Sequence, residues 1–151
     1  MIKIEKILCP VDFSDDSQAA LDYAADLARA LGSQLIVLHA VAPVLYPVAY
    51  GLAPVGPANY EEEARKAAEE KLGEILSGLD AGGVFASSLV VTGTPWLRIP
   101  ELVEEHKIDL VVMATHGLTG IKHALLGSNA EQVVRRCSCP VLTVKRGGAA
   151  A

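Results

Sequence analysis

The chain reads as an α/β protein: an open five-stranded parallel sheet, doubly wound and Rossmann-like, with strand order 3-2-1-4-5 and helices on both faces. Three observations predict the parallel, doubly wound sheet with helices on both faces. Apolar runs of strand length alternate with segments of helical period from one end to the other. Each strand is fed by a helix of about ten or more residues, and crossovers of that length make parallel, right-handed connections. The composition is 51% apolar but only 5% aromatic, so the core is built from Ala, Val, Leu and Ile, which suits helices packed closely on a sheet. At 151 residues this is one domain, spanning 1–146 and followed by a tail at 147–151. Such a domain buries roughly 70% of the surface its unfolded chain would expose.

The elements follow in order. Lys6 to Val11 is a strand, with Pro10 near its C-terminal end, where a missing N–H is tolerated. Ser14 N-caps a helix that runs to about Leu31, with Gly32 as C-cap and an inward face of Ala20, Ala24, Leu27, Ala28 and Leu31. Gln34 to Ala40 is a continuous apolar strand, expected to be buried on both faces. Ala40 to Asn59 carries no charge and is about long enough to span a bilayer. Pro43, Pro47, Gly51, Pro54, Gly56 and Pro57 would break a helix there repeatedly, so the stretch 41–58 reads as a loop. Its Val, Leu and Tyr residues are expected to be partly covered, under a lid over a ligand or against another subunit.

Tyr60 to Leu79 is a long amphipathic helix. Ala64, Ala68, Leu72, Ile75 and Leu79 face inward, and Glu61/Arg65 and Glu62/Lys66 form outward i,i+4 pairs. Phe85 to Thr92 is the third strand. Gly93-Thr94-Pro95 then opens a helix to about Lys107, with Thr94 as N-cap and Pro95 at the first position. Pro100 removes one of its hydrogen bonds, which predicts a kink or a 3₁₀ opening turn. Asp109 to Ala114 is the fourth strand, Ser128 to Arg136 the last helix, Pro140 to Lys145 the last strand, and Gly147 to Ala151 a frayed tail.

Charge and cysteine content narrow the function. A net charge of −5 with no Lys/Arg cluster argues against nucleic acid, whose phosphates need a basic face. The alternation at Met1-Ile2-Lys3-Ile4-Glu5-Lys6 is not a secretory signal, and no membrane segment is expected. Cys9, Cys137 and Cys139 are too few for a disulfide framework or a zinc site, which fits reduced thiols in a cytoplasmic protein.

In a doubly wound sheet the ligand lies beyond the strand C-termini, where the strand order reverses. The two turns at that point are Val11-Asp12-Phe13-Ser14 and Thr115-His116-Gly117, the two richest in polar and small residues. The second is followed by nine residues, Leu118 to Leu126, and then by Gly127-Ser128 at a helix start. A strand feeding a glycine turn, with a second glycine at a helix N-terminus, presents unpartnered N–H groups at the positive end of a helix dipole. That is a cradle for phosphate.

These residues make the sequence resemble the universal stress protein family over nearly its whole length. The resemblance is carried by Pro10-Val11-Asp12-Phe13-Ser14, Leu38-His39-Ala40-Val41, Gly93-Thr94-Pro95, Asp109-Leu110-Val111-Val112-Met113 and Cys139-Pro140-Val141-Leu142-Thr143-Val144. The family's nucleotide-binding branch carries a motif Gly-x2-Gly-x9-Gly-Ser/Thr. Here Gly117, Gly127 and Ser128 match it, and Ala114 stands in place of the first glycine. The resemblance implies ATP, with Mg2+, held by its phosphates on the backbone around Gly117, Gly127, Ser128 and Asn129. It implies contacts of the adenosine end with Asp12 and the backbone at Ala40, and Pro10, Val11 and Met113 as walls. His116 belongs to the same lining. Ala114 ends a strand, and an extended backbone there accepts Ala; a positive φ would not.

Other roles for these residues stay open. Asp12 ties down free N–H groups at the start of the first helix, contacts ligand, or does both. His116 is read as packing or bonding locally rather than as an acid/base. Lys122 and His123 either neutralise phosphate or face solvent, and Trp96 reads as partly buried packing. The segment has no Gly-Lys-Ser/Thr, no Ser-Gly-Gly-x-Asp-Ser and no His-x-Gly-His, so it reads as built to hold a nucleotide rather than to turn it over. The leading expectation is an ATP-binding, nucleotide-dependent binding or signalling module in the stress response. The alternatives are a dimeric protein-interaction module without nucleotide, and a slow ATP hydrolase. The last strand, with Val141, Leu142, Thr143 and Val144, should be a sheet edge, which a second copy would cover. Pairing of that edge in a homodimer resembles the family's mode of assembly.

Overall fold

The structure, a computed structural model, describes residues 1–43, 45–49, 51–54, 59–118 and 125–147. The elements are β1 (Lys6–Pro10), α1 (Asp15–Leu31), β2 (Gln34–Val41), β3 (Leu45–Val48), β4 (Gly51–Pro54), α2 (Tyr60–Ala81), β5 (Ala86–Thr92), α3 (Pro95–His106), β6 (Leu110–Ala114), α4 (Ser128–Arg136) and β7 (Val141–Val144). The main sheet has five strands in the order β5-β2-β1-β6-β7, all pairs parallel. With the hairpin strands β3 and β4 set aside, this is the expected 3-2-1-4-5.

Strand residues alternate between two cores because successive side chains point to opposite faces. Ile7, Cys9, Leu35, Val37, Leu110 and Val112 meet Leu21, Ala24 and Ala28 of α1 and Ala68 and Leu72 of α2. Leu8, Ile36, Leu38, Val111 and Met113 meet Ile99, Leu102 and Val103 of α3 and Ala130 and Val133 of α4. The small residues on α1 bring that helix close to the sheet. Among the described residues, no helix is long and apolar enough to cross a membrane.

Three local expectations are overturned. The buried stripe of α1 is Ala20, Leu21, Ala24, Ala25 and Ala28, while Leu31 is 49% exposed. Gly32, left-handed at φ 67, turns the chain away after the last helical turn and leaves Leu31 outside the sheet. Arg65 pairs with Glu69 and not Glu61, because Glu61 accepts the Thr92 hydroxyl at 2.7 Å. Between 41 and 58, read as loop, β3 and β4 form an antiparallel hairpin, with Val48 opposite Gly51. The prolines there break helices but are tolerated in a two-stranded ribbon, where each strand has an open edge. The side-chain cover expected for this stretch lies outside the described residues, as does the tail at 148–151. In α3, which continues through Pro100, the opening turn has the expected 3₁₀ character: Leu97 N–H and Arg98 N–H both donate to the Thr94 carbonyl, at 3.0 and 3.1 Å, and the first of these is an i→i+3 bond.

Candidate functional site

The site begins with how far two ladders run. β1 pairs with β2 as far as Pro10–Leu38, but with β6 only at Ile7–Leu110 and Leu8–Val111. Beyond Leu8 the two central strands part, and a crevice opens between their C-terminal ends, where the strand order reverses. It is a cleft of about 840 Å³, counting the space open to solvent at its mouth. That is within the range of small-molecule sites.

All eleven residues that the sequence assigned to a nucleotide line this one cleft: Pro10, Val11, Asp12, Ala40, Met113, Ala114, His116, Gly117, Gly127, Ser128 and Asn129. Pro10, Val11 and Met113 form walls beside Leu38. Thr115, in the turn expected at the switch point, lines it too, as do Ser17, His39, Pro95, Ile99, Leu118 and Ala130, which were not assigned to it. Ile99 and Ala130 are buried on α3 and α4, and helical period is the signal that could have placed them on inward faces. For His39, one residue in an apolar strand end, no spacing signal existed. Lys122 and His123 lie outside the described residues.

Asp12 spans the crevice. Its Oδ2 accepts the backbone N–H of Leu118, from the β6 side, at 2.9 Å. Its Oδ1 accepts the Ser14 backbone N–H at 3.0 Å and the Ser14 hydroxyl. Ser14 in turn caps α1 by accepting the Ser17 N–H at 3.1 Å, so Asp12 serves the helix start through Ser14. Partial burial pushes the Asp12 carboxyl up, but the hydrogen bonds from Ser14 and Leu118 outweigh this and hold its pKa below the ordinary carboxylate value.

What marks the two motif glycines is crowding and not an unusual torsion, since neither has a positive φ; a side chain would clash at Gly117 and be tight at Gly127. A Cβ on Gly117 would sit 2.6 Å from Asp12 Oδ2, too close for a non-bonded carbon, so the Asp12 carboxylate would have to move. A Cβ on Gly127 would sit 3.1 Å from the Thr115 carbonyl, which accepts the Gly127 N–H at 2.6 Å. Gly127 caps α4 without a side chain, and the first N–H groups of that helix, at Ser128, Asn129 and Ala130, have no partner within it. Ala114 lies in β6 opposite Val144, with no positive φ. Alanine is at home there.

The turn after β1 does hold an unusual torsion. Phe13 has φ 63, a left-handed conformation that costs a bulky residue about 1–2 kcal/mol. Its ring lies on the His39 imidazole, with centroids 4.5 Å apart, and Lys71 Nζ lies 4.9 Å from its centroid. His39 Nδ1 lies 2.8 Å from the Val11 carbonyl. A carbonyl only accepts, so Nδ1 carries the proton and donates. His116 Nδ1 lies 3.0 Å from Thr115 Oγ1.

Among the described lining residues, the ionisable ones are Asp12, His39 and His116, and none is a lysine or arginine. Among the described residues no group of three His, Cys, Asp or Glu could hold a metal ion. The cysteines are unpaired; burial pushes the Cys9 thiol up to about 12, which suits a core residue and not a nucleophile. Trp96 packs on the second core, with the Arg136 guanidinium 4.6 Å from its ring centroid.

Comparison with known proteins places this arrangement. Residues 3–145 match the model of the universal stress protein family. Universal stress protein MJ0577 of Methanocaldococcus jannaschii is 28% identical, over 96% of this chain and 97% of its own length. Its solved structure superposes with a TM-score of 0.78, at 26% identity, covering 98% of this chain and 100% of that one. Universal stress protein MJ0531 of the same organism is 33% identical over 94% of this chain and 82% of its own. A universal stress protein solved in complex with cAMP superposes with a TM-score of 0.61 at 28% identity, covering 95% of this chain and 98% of that one.

The Asp12 geometry makes a prediction about acid. The folded pKa lies below the unfolded one, so the carboxylate's contribution to stability is complete above the unfolded group's titration and is lost as pH falls through the folded value. Urea midpoints of the wild type and Asp12→Asn should differ at neutral pH and converge below about pH 4. A gap that persists unchanged into strong acid would contradict a charge-dependent tether.

Proposed function

We propose that this chain, which belongs to the universal stress protein family, binds an adenine nucleotide at the crevice between β1 and β6. ATP, with Mg2+, is the ligand that its glycine pattern points to, and the protein acts as a nucleotide-dependent binding or signalling module of the stress response in the cytoplasm. The observation that carries this is the meeting, in one cleft, of Gly117, Gly127, Ser128 and Asn129 with Asp12 and Ala40. Phosphates would take the open N–H groups at the start of α4, where the helix dipole favours anions. The adenosine end would lie toward Ala40, between Pro10, Val11 and Met113. The cAMP complex of a relative of the same fold supports an adenine nucleotide as the class of ligand.

The donor set also says how a metal would fit. Asp12 is the one carboxylate among the described lining residues, and both of its oxygens already accept hydrogen bonds. A Mg2+ would therefore be held mainly through phosphate oxygens and water, the usual habit of that ion, and not in a protein cage. The reading without nucleotide rests on Ala114; its place in β6 without a positive φ supports the nucleotide reading instead. Slow ATP hydrolysis has no positioned lysine to support it among the described lining residues.

Assembly follows from the sheet edge. β7 is an edge strand, with Val141, Leu142, Thr143 and Val144 all half-buried. Antiparallel pairing with β7 of a second copy, about a twofold axis, would cover its open N–H and C=O groups.

Two measurements test these readings. Mg·ATP at about 100 times Kd adds about 2.7 kcal/mol, which raises the melting midpoint of a domain this size by roughly 5–10 °C. No shift at millimolar Mg·ATP would contradict nucleotide binding. Val141→Lys or Val144→Lys should give a monomer mass by light scattering where the wild type gives a dimer. A dimer mass in both variants would rule out the β7 interface.

A further inference from the structure

We propose that His39 and Phe13 are positioning residues for the cleft: together they hold the turn that aims the Asp12 carboxylate at the glycine loop. This rests on the adenine-nucleotide reading of that cleft.

Asp12 has no support from regular structure, because β1 ends at Pro10 and α1 begins at Asp15. Its N–H donates to Ser17 Oγ at 3.3 Å and its carboxylate accepts from Ser14 and Leu118, but the path of the turn on either side is set by Val11 and Phe13, and a single side chain holds both. His39 donates Nδ1–H to the Val11 carbonyl at 2.8 Å, on one side of Asp12. On the other side its imidazole carries the Phe13 ring at 4.5 Å, with that residue turned to φ 63. A bulky residue leaves this conformation unless its surroundings over-determine it, and such outliers gather at ligand clamps. His39 is itself well anchored. It sits on β2, an inner strand, in register with Val90 of β5, while the Leu38 carbonyl beside it accepts the Val11 N–H at 2.8 Å. Lys71 of α2 adds a cation 4.9 Å from the centroid of the Phe13 ring.

Removing the imidazole frees the Val11 carbonyl and lets Phe13 relax toward an extended φ. That rotation carries Asp12 away from the Leu118 N–H, which it holds at 2.9 Å, and from its close approach to Gly117. The glycine loop then loses its tether at the point where phosphate would dock. His39 acts here through Asp12 and is not assigned a contact with the ligand.

The test uses full-length protein with His39→Leu and His39→Asn. The asparagine amide nitrogen lies where Nδ1 does, so it keeps the donor to Val11 while both variants lose the ring. Amide exchange at Leu118, read without ligand, and the Kd for Mg·ATP by calorimetry are the two readouts. His39→Leu should exchange at Leu118 about tenfold faster and bind Mg·ATP about tenfold more weakly, the scale of one lost hydrogen bond; His39→Asn should stay nearer the wild type in both. A merely structural role would lower the melting midpoints of both variants and leave the two readouts unseparated, and that result overturns the proposal. If His39→Leu does not fold, Phe13→Val against Phe13→Gly asks the same question, because valine rejects a positive φ and glycine accepts it. The valine variant should then lose protection at Leu118 and the glycine variant retain it. Wild-type protein that ignores Mg·ATP would defeat the nucleotide reading alone, since Leu118 exchange still decides the positioning role.

Discussion

The cleft depends on one carboxylate that joins two strands after their ladder has ended. β1 and β6 share register only through Leu8–Val111, and past that point nothing in the sheet keeps their turns in a fixed relation. Asp12 supplies the missing link, with Ser14 on one oxygen and the Leu118 N–H on the other. Its lowered pKa keeps it ionised, and a charged acceptor makes stronger hydrogen bonds than a neutral one. One residue therefore caps the entry to α1, through Ser14, and moors the loop that leads to α4.

Seen from that carboxylate, the glycines have a different meaning from the one usually given to a glycine motif. Neither Gly117 nor Gly127 has a positive φ. Gly117 is bare because Asp12 Oδ2 occupies the space of a side chain, and Gly127 because it folds onto the Thr115 carbonyl. The first motif position faces no such demand. Ala114 is an ordinary strand residue beside Val144, so a methyl group costs nothing there. The motif thus divides into two positions set by crowding and one set only by strand geometry.

Most of the frame was legible because it is written in local period. Alternating apolar strands and the Ala-rich stripe of α1 gave the layers, and Gly127-Ser128 marked the start of α4 at Ser128. That these residues meet in one cleft was legible as well, because a doubly wound sheet brings strand C-termini together whatever their distance along the chain. What escaped depended on contacts that no window contains. The Asp12–Leu118 bond spans 106 positions, and the left-handed Phe13 is held by His39 from another strand. Arg65 chose Glu69 because Thr92, on a different element, had taken Glu61. The β3–β4 hairpin was missed for a different reason: proline excludes helix more firmly than it excludes a two-stranded ribbon.

The proposed nucleotide site joins a tethered glycine turn to an adjacent helix start. Amide chemical shifts followed during titration with Mg·ATP test this most directly. The largest changes should fall at Gly117 and Leu118, at Gly127 through Ala130, and at Ala40, all of which line the same cleft. Shifts centred elsewhere on the sheet, or no shifts at saturating nucleotide, would contradict it.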